Sequence, residues 1–239
     1  MRQLLLLSSS ATFGTAFLEH AVVPIAELLG GRRLLFVPYA LRDHAGYTAR
    51  VRAALPGVSV DGITEAADPV AAVRDAEAVF VGGGNTFRLL RAVQSLGLGP
   101  VIREGVLSGG VPYLGSSAGT NIACPSLRTT NDMPIVQPSS FAALGLVPFQ
   151  VNPHYLDPEP GSTHMGETRQ ERIVQFLEEN DVPVLGLREG GWLRVAGDTA
   201  TAGGRAARLF TRGSPPREVE PGEDVSALLT AAARFDQPD

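Results

Sequence analysis

Val111–Asn121 reads VPYLGSSAGTN. Inside it, Gly115-Ser116-Ser117-Ala118-Gly119 is a G-x-S-x-G pattern, which forms a nucleophile elbow when it lies on a strand-to-helix turn. The glycines let backbone pass where a Cβ would clash. Ser117 then stands above the carboxyl end of the strand, and the amide of Ala118 can point into an oxyanion hole at the start of the helix. In a chain with 27 glycines the same residues also make an ordinary turn. The partners available to Ser117 therefore decide between the two readings.

A serine hydroxyl needs a base to take its proton, usually histidine. The chain has four histidines. His20 falls inside an early helical stretch and His44 at a helix start, where a packed or solvated side chain is the plainer reading. His154 ends a strand in the stiff context Asn-Pro-His, and Pro153 restricts Asn152. A strand end facing a crevice is where a base belongs. His164 lies in a loop, and its spacing from His154 and Glu167 matches no usual zinc pattern. An imidazole base also needs an acid to hold its tautomer. Asp132, in Thr130-Asn131-Asp132-Met133-Pro134, and Glu189, in Arg188-Glu189-Gly190-Gly191, are the candidates, and on the residues alone each also fits a solvated turn. The single cysteine, Cys124, precedes Pro125 with no base beside it and reads as a small buried residue.

These residues need a frame. Leu4–Leu7, Leu34–Val37, Val58–Ile63, Ala78–Val81 and Val111–Leu114 read as strands. Helical stretches alternate with them: Thr15–Leu29 with a kink or break at Pro24, Ala45–Leu55 capped by Asp43, one starting at Asp68-Pro69, Phe87–Leu96 and Val101–Leu107. That alternation predicts a mainly parallel sheet with helices on both faces. Ligands of such sheets sit beyond the carboxyl ends of the strands, where both glycine turns, Gly82–Gly84 and Gly115–Gly119, fall. Further on, Thr129–Pro138 is a polar loop, Phe149–His154 a strand ending at Pro153, Leu156–Gly166 a loop, Glu167–Glu179 a helix and Val184–Leu187 a strand. Trp192–Val195, Thr199–Ala202 and Ala207–Phe210 read as successive antiparallel strands joined by Gly-Asp and Gly-Gly turns. Asp224–Arg234 reads as a closing helix.

The 239 residues are 44% hydrophobic and 19% charged with net charge −5, the profile of a soluble globular protein. No basic patch points to nucleic acid or an anionic membrane. One cysteine excludes an internal disulfide and fits a cytoplasmic chain. Leu4–Leu7 is too short for a signal peptide or a membrane span. One domain over residues 1–239 is expected.

Together the motifs VGGGNTFRLL (Val81–Leu90), GSSAG with TNIACPSLRTTNDMPIV (Gly115–Val136), FQVNPHY (Phe149–Tyr155) and GETRQERI (Gly166–Ile173) resemble the peptidase E family, the S51 serine peptidases that act as α-aspartyl dipeptidases. The resemblance covers most of the chain. It implies an α/β three-layer sandwich similar to class I glutamine amidotransferases, with Ser117 where those enzymes carry cysteine. It implies Ser117 as nucleophile and His154 as base. For the acid it points first to Asp132, while Glu189 matches a second acidic position, and the choice stays open. It implies cleavage of dipeptides, and of some short or amide-like derivatives, that begin with aspartate, with Arg169 holding the aspartate side chain. The loop Leu156–Met165 departs from the family by one residue, which bears on how substrate is enclosed.

On this reading Ser117 attacks the aspartyl carbonyl, and the amides of Ala118 and Gly84 hold the oxyanion. A buried carboxylate needs a cation, and arginine offers a matching fork. The plainer reading of Arg169 is a surface pair with Glu167 or Glu171. Asn85 and Thr86 can reach substrate, cap the next helix, or both. No metal or cofactor is expected, and a monomer or a homodimer fits. The competing readings are a related hydrolase of β-aspartyl peptides or esters and a non-catalytic binding module on the same fold.

Overall fold

The computed structural model describes residues 1–158, 161, 163 and 165–237. In chain order the first half runs β1 (Gln3–Leu7), α1 (Val22–Leu29), β2 (Leu34–Val37), α2 (His44–Ala54), β3 (Val60–Gly62), α3 (Pro69–Arg74), β4 (Ala78–Val81), α4 (Thr86–Ser95), α5 (Leu98–Leu107), β5 (Tyr113–Ser116) and α6 (Ala118–Ala123). The second half runs β6 (Gln150–Pro153), α7 (Arg169–Glu179), β7 (Val184–Leu187), β8 (Trp192–Ala196), β9 (Thr199–Gly203), β10 (Ala207–Phe210) and β11 (Arg217–Val219).

The large sheet has seven strands in the order β3-β2-β4-β5-β1-β8-β9. From β3 to β1 every pairing is parallel, and the hairpin β8–β9 adds antiparallel to β1. Alternate side chains leave opposite faces of a strand. Leu4, Leu6, Val79 and Val81 accordingly pack with α4, α5 and α6 through Leu90, Ile102 and Ile122. Leu5, Leu7, Phe36 and Phe80 pack on the other face with α1 and α2 through Ile25, Leu28 and Val51. Burial on both faces explains why these strands read as continuous apolar runs.

A second, four-stranded sheet has the order β11-β10-β7-β6. Its parallel pair β6–β7 is joined through α7, whose Ile173 and Leu177 cover Tyr155, Val184 and Phe210. The helix starts are those their residues dictate. Asp43 accepts from Gly46 N–H, Asp68 from Val70 and Ala71, and Thr168 forms a capping box with Glu171.

Three expectations are corrected. The first helix begins at Val22, so that Pro24 lies in its first turn, where its missing N–H has no intrahelical partner to lose. The β8–β9 hairpin forms, but β10 leaves it to pair with β7 and β11. Gly204 turns the chain at φ +73 and packs so closely on Gly190 that a Cβ would lie 2.1 Å from its carbonyl oxygen. Asp224–Arg234 contains only a 3-10 turn at Ser226–Thr230. Its backbone is committed elsewhere: Val225 donates to Ala200, and Arg234 and Asp181 exchange backbone bonds. Among the described residues no helix is long and apolar enough to cross a membrane.

Candidate active site

Ser117 joins β5 to α6 with φ +51 and ψ −107, a strained backbone for a residue with a Cβ. Its amide donates to Leu7 O at 3.1 Å, and its carbonyl accepts from Asn121 N–H at 2.9 Å. The flanking glycines are there for close approach. A Cβ on Gly119 would lie 2.0 Å from Val81 O, and one on Gly115 2.8 Å from Gly119 O. Helix α6 is thereby pressed onto the end of β4, and Ser117 is left half-exposed.

His154 follows Pro153 at the end of β6, also at positive φ, +55. Its Nε2 lies 2.9 Å from Ser117 Oγ, and its Nδ1 lies 2.7 Å from Glu189 Oε1 on the segment after β7. Serine, histidine and glutamate thus form a continuous hydrogen-bonded row across the two sheets. With the Nδ1 proton facing the carboxylate, Nε2 is free to accept from the serine.

The sequence reading missed the serines that end β1. Ser8 Oγ is buried, donates to Leu187 O at 2.8 Å and accepts from His154 N–H at 2.9 Å. Ser9 Oγ accepts from Gly190 N–H, and Ser10 Oγ shares a 2.7 Å hydrogen bond with Ser116 Oγ. Their signal was available: three hydroxyls at the carboxyl end of a central strand, where ligands of such sheets lie.

The glycine turn after β4 meets the serine turn, since a Cβ on Gly83 would lie 3.1 Å from that of Ser117. Gly82 N–H donates to Val37 O, Gly83 N–H to Tyr47 Oη at 2.9 Å, and Asn85 N–H to Ala40 O. Among the described residues the amide of Gly84 has no acceptor. Ala118 carries the first amide of α6, which a helix leaves without an internal partner. Burial holds the Tyr47 phenol above its ordinary pKa, so it stays neutral while accepting from Gly83. Gly84 itself has φ +133, and a Cβ there would meet Ala40 O at 2.6 Å.

Asp132, ranked first as the acid, stands instead at the N-terminus of α4. Its Oδ2 accepts from both the amide and the hydroxyl of Thr86 at 2.6 Å. A carboxylate satisfies an orphan helix amide and favours the positive end of the helix dipole. Glu189 occupies the place beside His154. Asn85 caps the same helix through Arg88 N–H and ties the loop down by donating to Met133 O at 2.8 Å. Thr86 is fully buried, with its hydroxyl bonded to Asp132 and Thr130. Both residues therefore build the turn that carries Gly84.

Arg169 is the first residue of α7, half-buried. Glu167 pairs with Arg172 and Glu171 is committed to the capping box, so the plainer reading of Arg169 as a surface pair does not hold. Among the described residues no carboxylate lies within ion-pair distance of it. Burial and then the neighbouring Arg172 lower its pKa, while Asp132 acts in the opposite sense. His20 is half-buried, and desolvation lowers its pKa. His44 stands edge-on to Tyr39 at the start of α2, and His164 lies outside the described residues. Cys124 is fully buried, and burial pushes its thiol up to about 12. Beside Ser117 and His154 lies a cleft of about 250 Å³, also lined by Gly83, Gly84, Phe17, Leu41, Tyr47 and Arg50. Chemically, the arrangement offers a hydroxyl next to a base, a carboxylate behind the base and, nearby, two amides with no acceptor among the described residues.

Residues 4–203 match peptidase family S51. The chain is 62% identical to a protein of Streptomyces coelicolor named peptidase E, over 98% of this chain and 97% of that protein. It is 53% identical to a probable alpha-aspartyl dipeptidase of Drosophila melanogaster, over 95% of this chain and 98% of the relative. A crystal structure of a putative peptidase E protein from Listeria monocytogenes superposes with a TM-score of 0.64 at 25% identity, covering 84% of this chain and 98% of that one.

Proposed function

The chain belongs to peptidase family S51, and from that premise we propose that it is a serine dipeptidase that hydrolyses Asp-Xaa dipeptides through an acyl-enzyme on Ser117. The observation that carries the proposal is the row Ser117 Oγ, His154 Nε2 at 2.9 Å, and His154 Nδ1, Glu189 Oε1 at 2.7 Å. A serine beside its base at this distance is set for proton removal. Ser117 Oγ attacks the aspartyl carbonyl as His154 takes its proton. Glu189 holds the ring and stabilises the imidazolium that forms. The amides of Gly84 and Ala118 bind the tetrahedral oxyanion, a role worth about 3 kcal/mol per donor. Gly84 is favoured over Gly83 because Tyr47 already accepts from Gly83. His154 then protonates the departing amine, and water repeats the sequence on the acyl-enzyme.

The names borne by the relatives supply the aspartate preference. Arg169 is the cation for the aspartate side chain, supported by its half-burial and by the absence of a carboxylate partner among the described residues. Asp132 acts on this pocket at one remove: it anchors the loop to Thr86 and bears electrostatically on Arg169. Asn85 and Thr86 hold the same edge. In this reading β5, Ser117 and α6 form a nucleophile elbow on a class I glutamine amidotransferase-like fold. The chain is then one domain over residues 1–239, acting in the cytoplasm without metal or cofactor, as a monomer or homodimer.

Hydrolysis of Asp-Leu, Glu-Leu, Ala-Leu and β-Asp-Leu by the wild type and by Ser117→Ala, with chelator present, tests the proposal. Cleavage of Asp-Leu alone, abolished in the variant, is expected. Cleavage of β-Asp-Leu in preference to Asp-Leu, or undiminished turnover by Ser117→Ala, refutes it.

A further inference from the structure

An Asp-Xaa dipeptide carries two carboxylates, one on the aspartate side chain and one at its C-terminus. Arg169 can answer the first. Among the described residues that line the cleft beside Ser117, Arg50 bears the only permanent positive charge. It lies on α2 one turn after Tyr47, and residues three apart share a helix face. Tyr47 is the residue whose phenol accepts from Gly83 N–H, so the helix that carries Arg50 is bonded to the glycine turn. The guanidinium is held 4.2 Å over the centre of the Phe17 ring, and Phe17 also lines the cleft. Stacking limits where the fork can point without neutralising it. Among the described residues no carboxylate lies within ion-pair distance of Arg50. Arg50 is exposed at the cleft wall, so an anion entering the cleft can reach it without displacing a partner among the described residues.

We infer that Arg50 forms a subsite for the C-terminal carboxylate of the departing amino acid. The inference rests on the dipeptidase reading and deepens it. That carboxylate lies a single residue from the scissile bond, so a fixed cation near the bond reads the length of the peptide. A dipeptide presents an anion to Arg50. A longer peptide presents a neutral amide there and leaves the guanidinium unmatched. Charge-assisted pairing of this kind favours the free acid over an otherwise identical amide.

The test compares kcat/KM for Asp-Leu and Asp-Leu amide in the wild type, Arg50→Gln and Arg50→Lys. The wild type is expected to prefer the free acid by about tenfold. Arg50→Gln is expected to reduce that ratio to near one, and Arg50→Lys, which keeps the charge, to restore most of it. An equal loss on both substrates overturns the inference, since Arg50 would then serve the aspartyl side. A wild-type ratio near one, or a ratio unchanged in Arg50→Gln, overturns it as well. Failure to cleave either substrate refutes the dipeptidase reading itself, a result distinct from a lost preference.

Discussion

Replacing Glu189 by glutamine and Asp132 by asparagine separates the two carboxylates that compete for the place behind His154. The glutamine side chain of Glu189→Gln can still accept from Nδ1–H, so the tautomer and ring position are kept and only the charge is lost. That charge matters when His154 becomes an imidazolium. Opposite charges with centres ~4 Å apart interact by about 1 kcal/mol in water and about 4 kcal/mol at an effective dielectric of 20. The His154 and Glu189 side chains are 39% and 46% exposed, which places the pair between those limits. A loss of about 2–3 kcal/mol lowers kcat roughly 30- to 150-fold. KM should stay within about threefold, since the ground state holds a neutral ring. Asp132→Asn acts elsewhere. It weakens the contact with Thr86 and removes the negative charge that bears on Arg169. Its loss should therefore fall on KM for aspartyl substrates. Steady-state kinetics on Asp-Leu, with folding checked by circular dichroism, gives both numbers. A kcat unchanged in Glu189→Gln, with a large kcat loss at constant KM in Asp132→Asn, would refute the assignment.

Ser8→Ala removes a buried hydroxyl and leaves His154 N–H without its acceptor. A loss of about 1–3 kcal/mol in urea unfolding and a fall in kcat larger than any rise in KM are expected, and an unchanged kcat would show that His154 needs no such brace. Cys124, buried and with its thiol pushed up to about 12, should react with a thiol reagent only after denaturation. Stoichiometric labelling of the folded protein with loss of activity would contradict this. Gly119→Ala places a Cβ 2.0 Å from Val81 O. It should destabilise the fold by about 3 kcal/mol or more, and a wild-type midpoint in urea would show that α6 can move off β4. Arg188 beside Asp157 lowers the carboxyl pKa. The stabilisation is therefore present above the unfolded value of about 3.9 and is lost as pH falls through the folded pKa. Unfolding at pH 7 and pH 3 should show that Arg188→Gln costs stability mainly at pH 7, and an equal cost at both would exclude the pairing as its source.

The parallel core was legible because its strands are buried on both faces and carry little but apolar side chains, while Asp43, Asp68 and Asn85 mark helix starts by their own chemistry. Ser117 and His154 could be placed at strand ends from local pattern alone. The acid could not. Asp132 and Glu189 both lie in turns, and which one reaches Nδ1 depends on how β6 and β7 pair, a long-range register that no local spacing encodes. The same limit explains β10, whose partners lie in the other sheet, and the C-terminal segment, whose backbone bonds go to Ala200 and Asp181. Arg50 escaped notice because an arginine on a helix is ordinary until its neighbours are known.

The candidate row crosses two sheets, and this makes β1 more than one strand among seven. Ser117 belongs to the large sheet, while His154 and Glu189 follow strands of the small one. A shift of about 1 Å between the sheets would pull the hydroxyl from its base, and such displacements are costly in catalysis. Ser117 and His154 also have positive φ without being glycine, a conformation that costs roughly 1–3 kcal/mol and persists only where its surroundings overdetermine it. Consecutive residues of one strand end supply that constraint. Leu7 O accepts the amide of Ser117, and Ser8 Oγ accepts the amide of His154. The same Ser8 hydroxyl donates to Leu187, two residues before Glu189. The end of β1 thus joins all three members, so the precision of the row follows from hydrogen bonds made outside it.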